Sequence, residues 1–166
     1  MADDNEVTLT IDGKSVTTPK GSVVVDAAKS IGIEIPVFCY HEKLGPFGCC
    51  RMCLVEVEKM PKLTTACTLQ VAPDMVVKTN TPNVEKAQKG VLEFTLLNHP
   101  LDCPVCDKGG ECPLQNNTFK YGPGDTRMEF ERANRDKATP LSPVITIDRE
   151  RCIACQRCTR YSDIIE

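Results

Sequence analysis

The run from Asn98 to Pro113 constrains this chain more than any other. It places one of the two histidines and three cysteines within fourteen residues, spaced His-x3-Cys-x2-Cys-x5-Cys. The imidazole of His99 and the thiols of Cys103, Cys106 and Cys112 are close enough in sequence to wrap one metal centre without help from elsewhere. Pro104 and Pro113 stiffen the backbone beside two of the sulfurs, and Gly109-Gly110 lets it turn tightly. Two more cysteine groups flank this run. Cys39, Cys50, Cys53 and Cys67 precede it as C-x10-C-x2-C-x13-C, and Cys152, Cys155 and Cys158 follow it as C-x2-C-x2-C. The pattern reads as a row of three metal centres.

Eleven cysteines in 166 residues allow disulfides, zinc or iron–sulfur chemistry, and the first is disfavoured. The start, Met1 to Glu6, is acidic and lacks the basic and apolar runs of an export signal, so the thiols are expected to stay reduced. An odd count leaves one unpaired in any disulfide scheme. Aromatics are only 5% and Trp is absent, so small cores here need the stability that metal ligation adds. No apolar run approaches the ~20 residues that span a bilayer, which predicts a soluble or peripheral chain. A net charge of −3 gives no reason to expect nucleic acid.

In chain order, Val7, Leu9 and Ile11 alternate up to Asp12-Gly13, and Val16 and Thr18 alternate after it, the signal of a β-hairpin. Ser22 is placed to cap a short helix carrying Val24, Ala27, Ala28 and Ile31, with Gly32 as its stop. Pro36 bars residues 33–36 from a strand interior. Residues 54–58 and 75–79 read as strands. Thr81-Pro82 opens a helix whose apolar face is expected at Val84, Ala87, Val91 and Phe94, ending near Asn98 because Pro100 disfavours helical geometry before it. Residues 121–143, broken by Gly122, Pro123, Gly124, Pro140 and Pro143, read as a connector. Val144, Ile145 and Ile147 form a short strand. The expected class is α+β, with a ferredoxin-type domain at 1–80, a domain ligated by one His and three Cys at 81–120, the connector at 121–143, and the start of a four-iron ferredoxin-type domain at 144–166.

The first group keeps the tight pair and distant ligand of plant-type two-iron ferredoxins but lengthens the first loop. Cys39-Tyr40-His41 is half of a Rieske pattern. The other half has Cys53 where a histidine belongs, so His41 is read as a surface residue or as one that backs a ligand without binding metal itself. Cys49 competes with Cys50 for the ligand position, but the x2 spacing to Cys53 favours Cys50 and leaves Cys49 as a small filler or spare thiol. A histidine at a helix end also has a plainer role, bonding the last carbonyls, but three cysteines in the next thirteen residues favour ligation at His99. Zinc sites of four ligands fit the first and middle groups. The C-x2-C-x2-C run instead suits the corner of a four-iron cubane and puts iron–sulfur ahead. Its fourth ligand is not visible in the chain. Arg51, Arg157 and Arg160 lie near ligands and read equally as counter-charges or as solvated surface groups. No nucleophile–base pair, phosphate loop or flavin fingerprint is present, so no catalytic residue is assigned.

The chain resembles the N-terminal iron–sulfur segment of the large cluster-bearing subunit of bacterial-type NADH:quinone oxidoreductase, respiratory complex I. The resemblance runs through Cys39-Tyr40-His41, residues 48–57, residues 93–112, Pro140-Leu141-Ser142-Pro143 and residues 148–155. It implies that Cys39, Cys50, Cys53 and Cys67 hold a [2Fe–2S] cluster in a β-grasp domain. It implies a His-ligated [4Fe–4S] cluster on His99, Cys103, Cys106 and Cys112. Cys152, Cys155 and Cys158 would give three ligands of a second [4Fe–4S] whose fourth lies further along the family chain. Members of that family are far longer. They pass electrons from NADH, through a flavin on a partner subunit, towards quinone, in the peripheral arm on the cytoplasmic side of the bacterial inner membrane. The same module opens iron hydrogenases and the diaphorase parts of NAD-linked hydrogenases and formate dehydrogenases. An alternative of another class is a zinc-stabilised docking module.

Overall fold

Asp12 and Gly13 both take positive φ, 48° and 79°, closing a tight two-residue turn between β1 (Glu6–Ile11) and β2 (Lys14–Pro19). That turn has the hand of twisted strands, as the Asp-Gly pair predicts. The computed structural model of the chain describes residues 5–165; the residues before Asn5, with most of the acidic start, and Glu166 lie outside the described residues. The chain divides into two units, Met1–Gln88 with Gln156–Glu166, and Lys89–Cys155.

In the first unit β3 (Leu54–Val57), β4 (Thr64–Thr65) and β5 (Val76–Lys78) join the hairpin in one sheet of order β2-β1-β5-β3-β4. Only β1 and β5 run parallel; Thr10 faces Val76 and Ile11 faces Val77. The sheet is thus mixed and, with its helices, makes the expected α+β class. Val7, Leu9 and Ile11 point to one face and are buried with Val16, Val55, Val57 and Val77. The helix α1 (Val24–Ser30) adds Val24, Val25, Ala27 and Ala28 to the same core.

Ser22 does not cap α1. The residue before the helix is Val23, and no side chain caps it. The first amides are met by tertiary partners instead, Val24 N donating to Leu69 O at 2.9 Å and Val25 N to Ala66 O at 3.1 Å. Those carbonyls flank Cys67, so the start of α1 fixes the segment that carries this thiol. At the other end the stop is as expected. Gly32 has φ 76°, its N–H meets Lys29 O and the N–H of Ile33 meets Ala28 O, a Schellman closure.

The helix α2 (Pro82–Leu96) begins with Thr81 accepting from Val84 N and Pro82 in the first turn. Its buried positions are Val84, Gln88 and Leu92, whereas Phe94 is 81% exposed. The expected apolar face is therefore corrected by a rotation around the helix. The reason is Gln88, a polar residue buried because its side-chain amide donates to Leu54 O at 3.2 Å; a purely apolar reading passes over it.

The second unit holds a 3-10 turn at Cys103–Val105, α3 (Pro113–Tyr121), and β6 (Thr139–Pro140) paired antiparallel with β7 (Thr146–Ile147). The predicted strand survives only at Thr146 and Ile147, and Val144 and Ile145 are exposed beside it. The predicted connector supplies its partner strand, because the hairpin joins Leu141 N to Ile145 O across Ser142-Pro143. The last helix, α4 (Arg157–Ile165), belongs to the first unit.

Candidate metal centres

Cys39, Cys53 and Cys67 are fully buried and Cys50 partly so, while Cys49 is exposed. None of the eleven cysteines is in a disulfide. The thiols of the first group lie against one another, Cys39 beside Cys50 and also beside Cys49, and Cys53 beside Cys67. Two thiols per pair, twice over, is the donor set that a two-iron rhomb takes, two sulfurs to each iron.

Backbone amides converge on these sulfurs. Cys39 N lies 3.5 Å from Cys50 Sγ, which also receives the amides of Met52 and Phe38. The Cys67 sulfur receives those of Phe47 and Gly48. Arg51 and Gly48, with φ 58° and 75°, take the left-handed bends of this loop. The effect on ionisation follows. The thiol of Cys53 lowers the Cys67 pKa by hydrogen bonding, against burial, and the loop amides lower it further. Cys53 is pushed up, by Cys67 first and by burial second. Burial opposes ionisation of Cys39, yet the amide of Cys50 and the neighbouring thiols leave its pKa lowered. Burial, first among the causes, pushes the Cys50 thiol up as well, so Cys39 and Cys67 are the two thiols of the group eased toward the thiolate, and Cys50 and Cys53 the two held protonated. His41 stays on the surface, its Nδ1 accepting from Lys43 N, as the sequence reading expects.

The second group encloses space. His99, Cys103, Cys106 and Cys112 all line one cavity of about 190 Å³, with Leu96, Leu114, Thr118 and Arg151 among its walls. Among the described residues no three His, Cys, Asp or Glu side chains gather at the spacing of a single metal ion. The four side chains instead share the lining of one open-sided cavity, Cys103 exposed and Cys106 and Cys112 partly buried, which leaves room for a multi-atom cage. Two further features fit a cluster there. Thr118 Oγ1 is buried without a protein partner, so it offers a hydroxyl to an acceptor in the cavity. A Cβ at Gly109 would stand 2.8 Å from Cys103 O and 3.1 Å from Cys106 O, so only glycine lets these ligand loops close.

Each of the four candidate positions has a local cause. Cys112 is the residue before α3, whose first residue is Pro113, so it stands at the positive end of a helix dipole. The 3-10 turn sets Cys103 and Cys106 one turn apart. His99 follows α2, its N–H closing on Leu96 O at 3.2 Å. Burial first, and the Arg132 guanidinium second, lower the His99 pKa and keep the imidazole neutral, with a lone pair free for a metal. Arg132 also donates to the His99 carbonyl. Asp102 is gripped by Lys137 Nζ at 2.5 Å and Arg151 Nε at 3.0 Å. Sequence reasoning missed Thr118, Asp102, Arg132, Lys137 and Arg151. Asp102 pairs with Lys137 and Arg151, and Arg132 with the His99 carbonyl, across tens of residues, and Thr118 is marked only by its place on the cavity wall, so no short-range spacing signals them.

Cys152 and Cys155 lie in the loop before α4, in the second unit, and Cys158 on α4, in the first. Ala154 and Gln156 take positive φ, 52° and 61°, and Ala154 N donates to Cys152 Sγ at 3.4 Å. Such left-handed bends at non-glycine residues cost energy and mark a loop shaped for a purpose.

The same division recurs among known proteins. Residues 4–82 match the family described as 2Fe-2S iron-sulfur cluster binding domain, and residues 88–127 match the NADH-ubiquinone oxidoreductase-G iron-sulfur binding region. The chain is 54% identical, over 95% of its length, to the NADH-quinone oxidoreductase-G protein of Streptomyces coelicolor, and 53% over 96% to that of Mycobacterium tuberculosis. It is similar to the iron–sulfur region of the oxidoreductase-G proteins. A mitochondrial relative, the 78 kDa subunit of NADH-ubiquinone oxidoreductase from Neurospora crassa, is 52% identical over 96% of the chain. The chain spans about a fifth of these relatives' length, 19%, 20% and 22% respectively. A solved NAD+-reducing [NiFe]-hydrogenase superposes on 96% of the chain with TM-score 0.85 and 29% identity, the match covering 67% of that hydrogenase chain. The oxidoreductase-G relatives are components of an oxidoreductase complex. No helix among the described residues is long and apolar enough to cross a membrane.

Proposed function

We propose that this chain is the cluster-bearing entry segment of an NADH:quinone oxidoreductase subunit, relaying single electrons from the NADH and flavin site of a partner subunit towards quinone. The observation that carries this reading is the cavity lined by His99, Cys103, Cys106 and Cys112. Cys39, Cys50, Cys53 and Cys67 would hold a [2Fe–2S] cluster in a β-grasp domain, a reading supported by the mixed sheet of order β2-β1-β5-β3-β4. His99, Cys103, Cys106 and Cys112 would hold a [4Fe–4S] cluster, and Cys152, Cys155 and Cys158 three corners of a second, completed by a Cys further along the family chain. When bound, such clusters supply one-electron redox chemistry. The residues of the chain hold sulfur as thiolate, donate amide and hydroxyl hydrogens to it, and keep His99 neutral. The assembly is peripheral to the membrane through its partners, on the cytoplasmic side of the bacterial inner membrane.

Anaerobically purified chain tests this reading by its iron and acid-labile sulfide and by its electron paramagnetic resonance after reduction. About ten irons per chain are expected with all three centres filled, and about six with the first two alone. Zinc without sulfide would replace the reading with a structural docking module. A second reading, the relay arm of an NAD-linked hydrogenase, is favoured by the match to the NAD+-reducing enzyme. The host's own reaction, quinone reduction or hydrogen oxidation, separates the two.

A further inference from the structure

Arg160 lies on α4, more than a hundred residues beyond the first cysteine loop, yet its guanidinium is spent on that loop. Nη1 donates to Cys39 O at 3.0 Å, and Nη2 donates to Gly45 O at 2.9 Å and to Leu44 O. The guanidinium carbon stands 4.7 Å from the centre of the Phe47 ring. One turn earlier, Arg157 Nη2 donates to Tyr40 O at 2.6 Å. Two arginines of one helix thus bind four carbonyls of the loop that leads from Cys39 towards Cys50. All of these residues lie in the first unit.

We infer that Arg160 is a positioning residue for the two-iron site, holding the Cys39 limb in its ligating shape and placing a fixed positive charge beside it. Three features point this way. The first loop, C-x10-C, is six residues longer than the plant-type C-x4-C, so it has more freedom to lose on ligation. Carbonyls that turn outward to meet a guanidinium leave the amides of the same loop free to point at sulfur, as Cys50 N does towards Cys39. The planar fork with a ring against its face also suits Arg and not Lys, whose ammonium cannot reach three carbonyls in one plane. A reduced cluster carries one more negative charge, which a nearby cation stabilises.

The inference rests on the [2Fe–2S] reading, and the test keeps the two apart. The full chain, purified anaerobically, is compared as wild type, Arg160→Gln and Arg160→Lys. The measurements are iron release to a chelator and redox titration of the two-iron and four-iron signals. Arg160→Gln should release the two-iron centre about tenfold faster or more, as loss of charge-assisted hydrogen bonds implies, and lower its midpoint potential. Arg160→Lys should recover the potential but not the slow release. The cluster on His99 should be unchanged in both and serves as the folding control. Wild-type release and potential in Arg160→Gln would overturn the inference, as would equal loss of both clusters. If wild-type chain shows no two-iron signal, the cluster reading itself fails.

Discussion

Arg151 Nε lies 3.0 Å from Asp102 Oδ2, across 49 residues of chain, and both side chains line the cavity that His99 shares with three cysteines. The carboxylate aims the guanidinium, which places a cation on the wall of an otherwise apolar space. Arg151→Gln should leave the four-iron signal in place and lower its midpoint potential by tens of millivolts, more at low salt than at high. Asp102→Asn, which frees the guanidinium without removing it, should shift the potential less and broaden the signal. Redox titration of both variants checks this.

His99 itself carries a sharper expectation. A thiolate in its place adds one negative charge, so His99→Cys should keep a four-iron cluster at lower potential. Cys106→Ala should lose the cluster. If His99→Ala leaves both signal and potential untouched, the histidine is only a helix-end residue.

Gly109 is a steric test of the same site. Its missing side chain is what allows the Cys103 and Cys106 carbonyls to approach. Gly109→Ala must move backbone, not a flexible side-chain end. It should cost the four-iron signal while leaving the two-iron signal at wild-type intensity, read by paramagnetic resonance and by sulfide content.

The Asp102 network predicts a direction with pH. Lys137 first, and Arg151 second, hold the Asp102 carboxyl below its ordinary 3.8. A depressed carboxylate stabilises the fold fully above its unfolded value and loses that contribution as pH falls through the folded one. Wild type should therefore melt above Asp102→Asn at neutral pH, with the gap closing below about pH 4. The groups are partly exposed, so the gap is small and shrinks with salt.

Leu9 is 1% exposed at the centre of the sheet core. Leu9→Ala should cost about 2–5 kcal/mol, seen as a lower urea midpoint, and should weaken the two-iron site because the same core seats Cys53 and Cys67.

The hairpin, the Gly32 stop and the Pro82 start were legible because each depends on the φ preferences of one or two residues. Ser22 and the face of α2 were not. The amides at the start of α1 found Leu69 and Ala66, and Gln88 found Leu54, partners that no local pattern names. The arginines divide in the same way. Arg51 is exposed, while Arg160 is committed to the carbonyls of the first loop, and their spacing to the nearest cysteine does not tell them apart.

The sequence by itself determined which thiols and which imidazole stand close enough along the chain to share a centre, because spacing limits what one loop can wrap. Only the tertiary structure decided what surrounds those groups: four side chains lining one cavity, amides turned onto sulfur, and the cations of Arg151 and Arg160 set beside the two sites. Those placements depend on contacts between residues far apart in the chain, and geometry at that range is fixed by packing, not by the preferences of neighbouring residues.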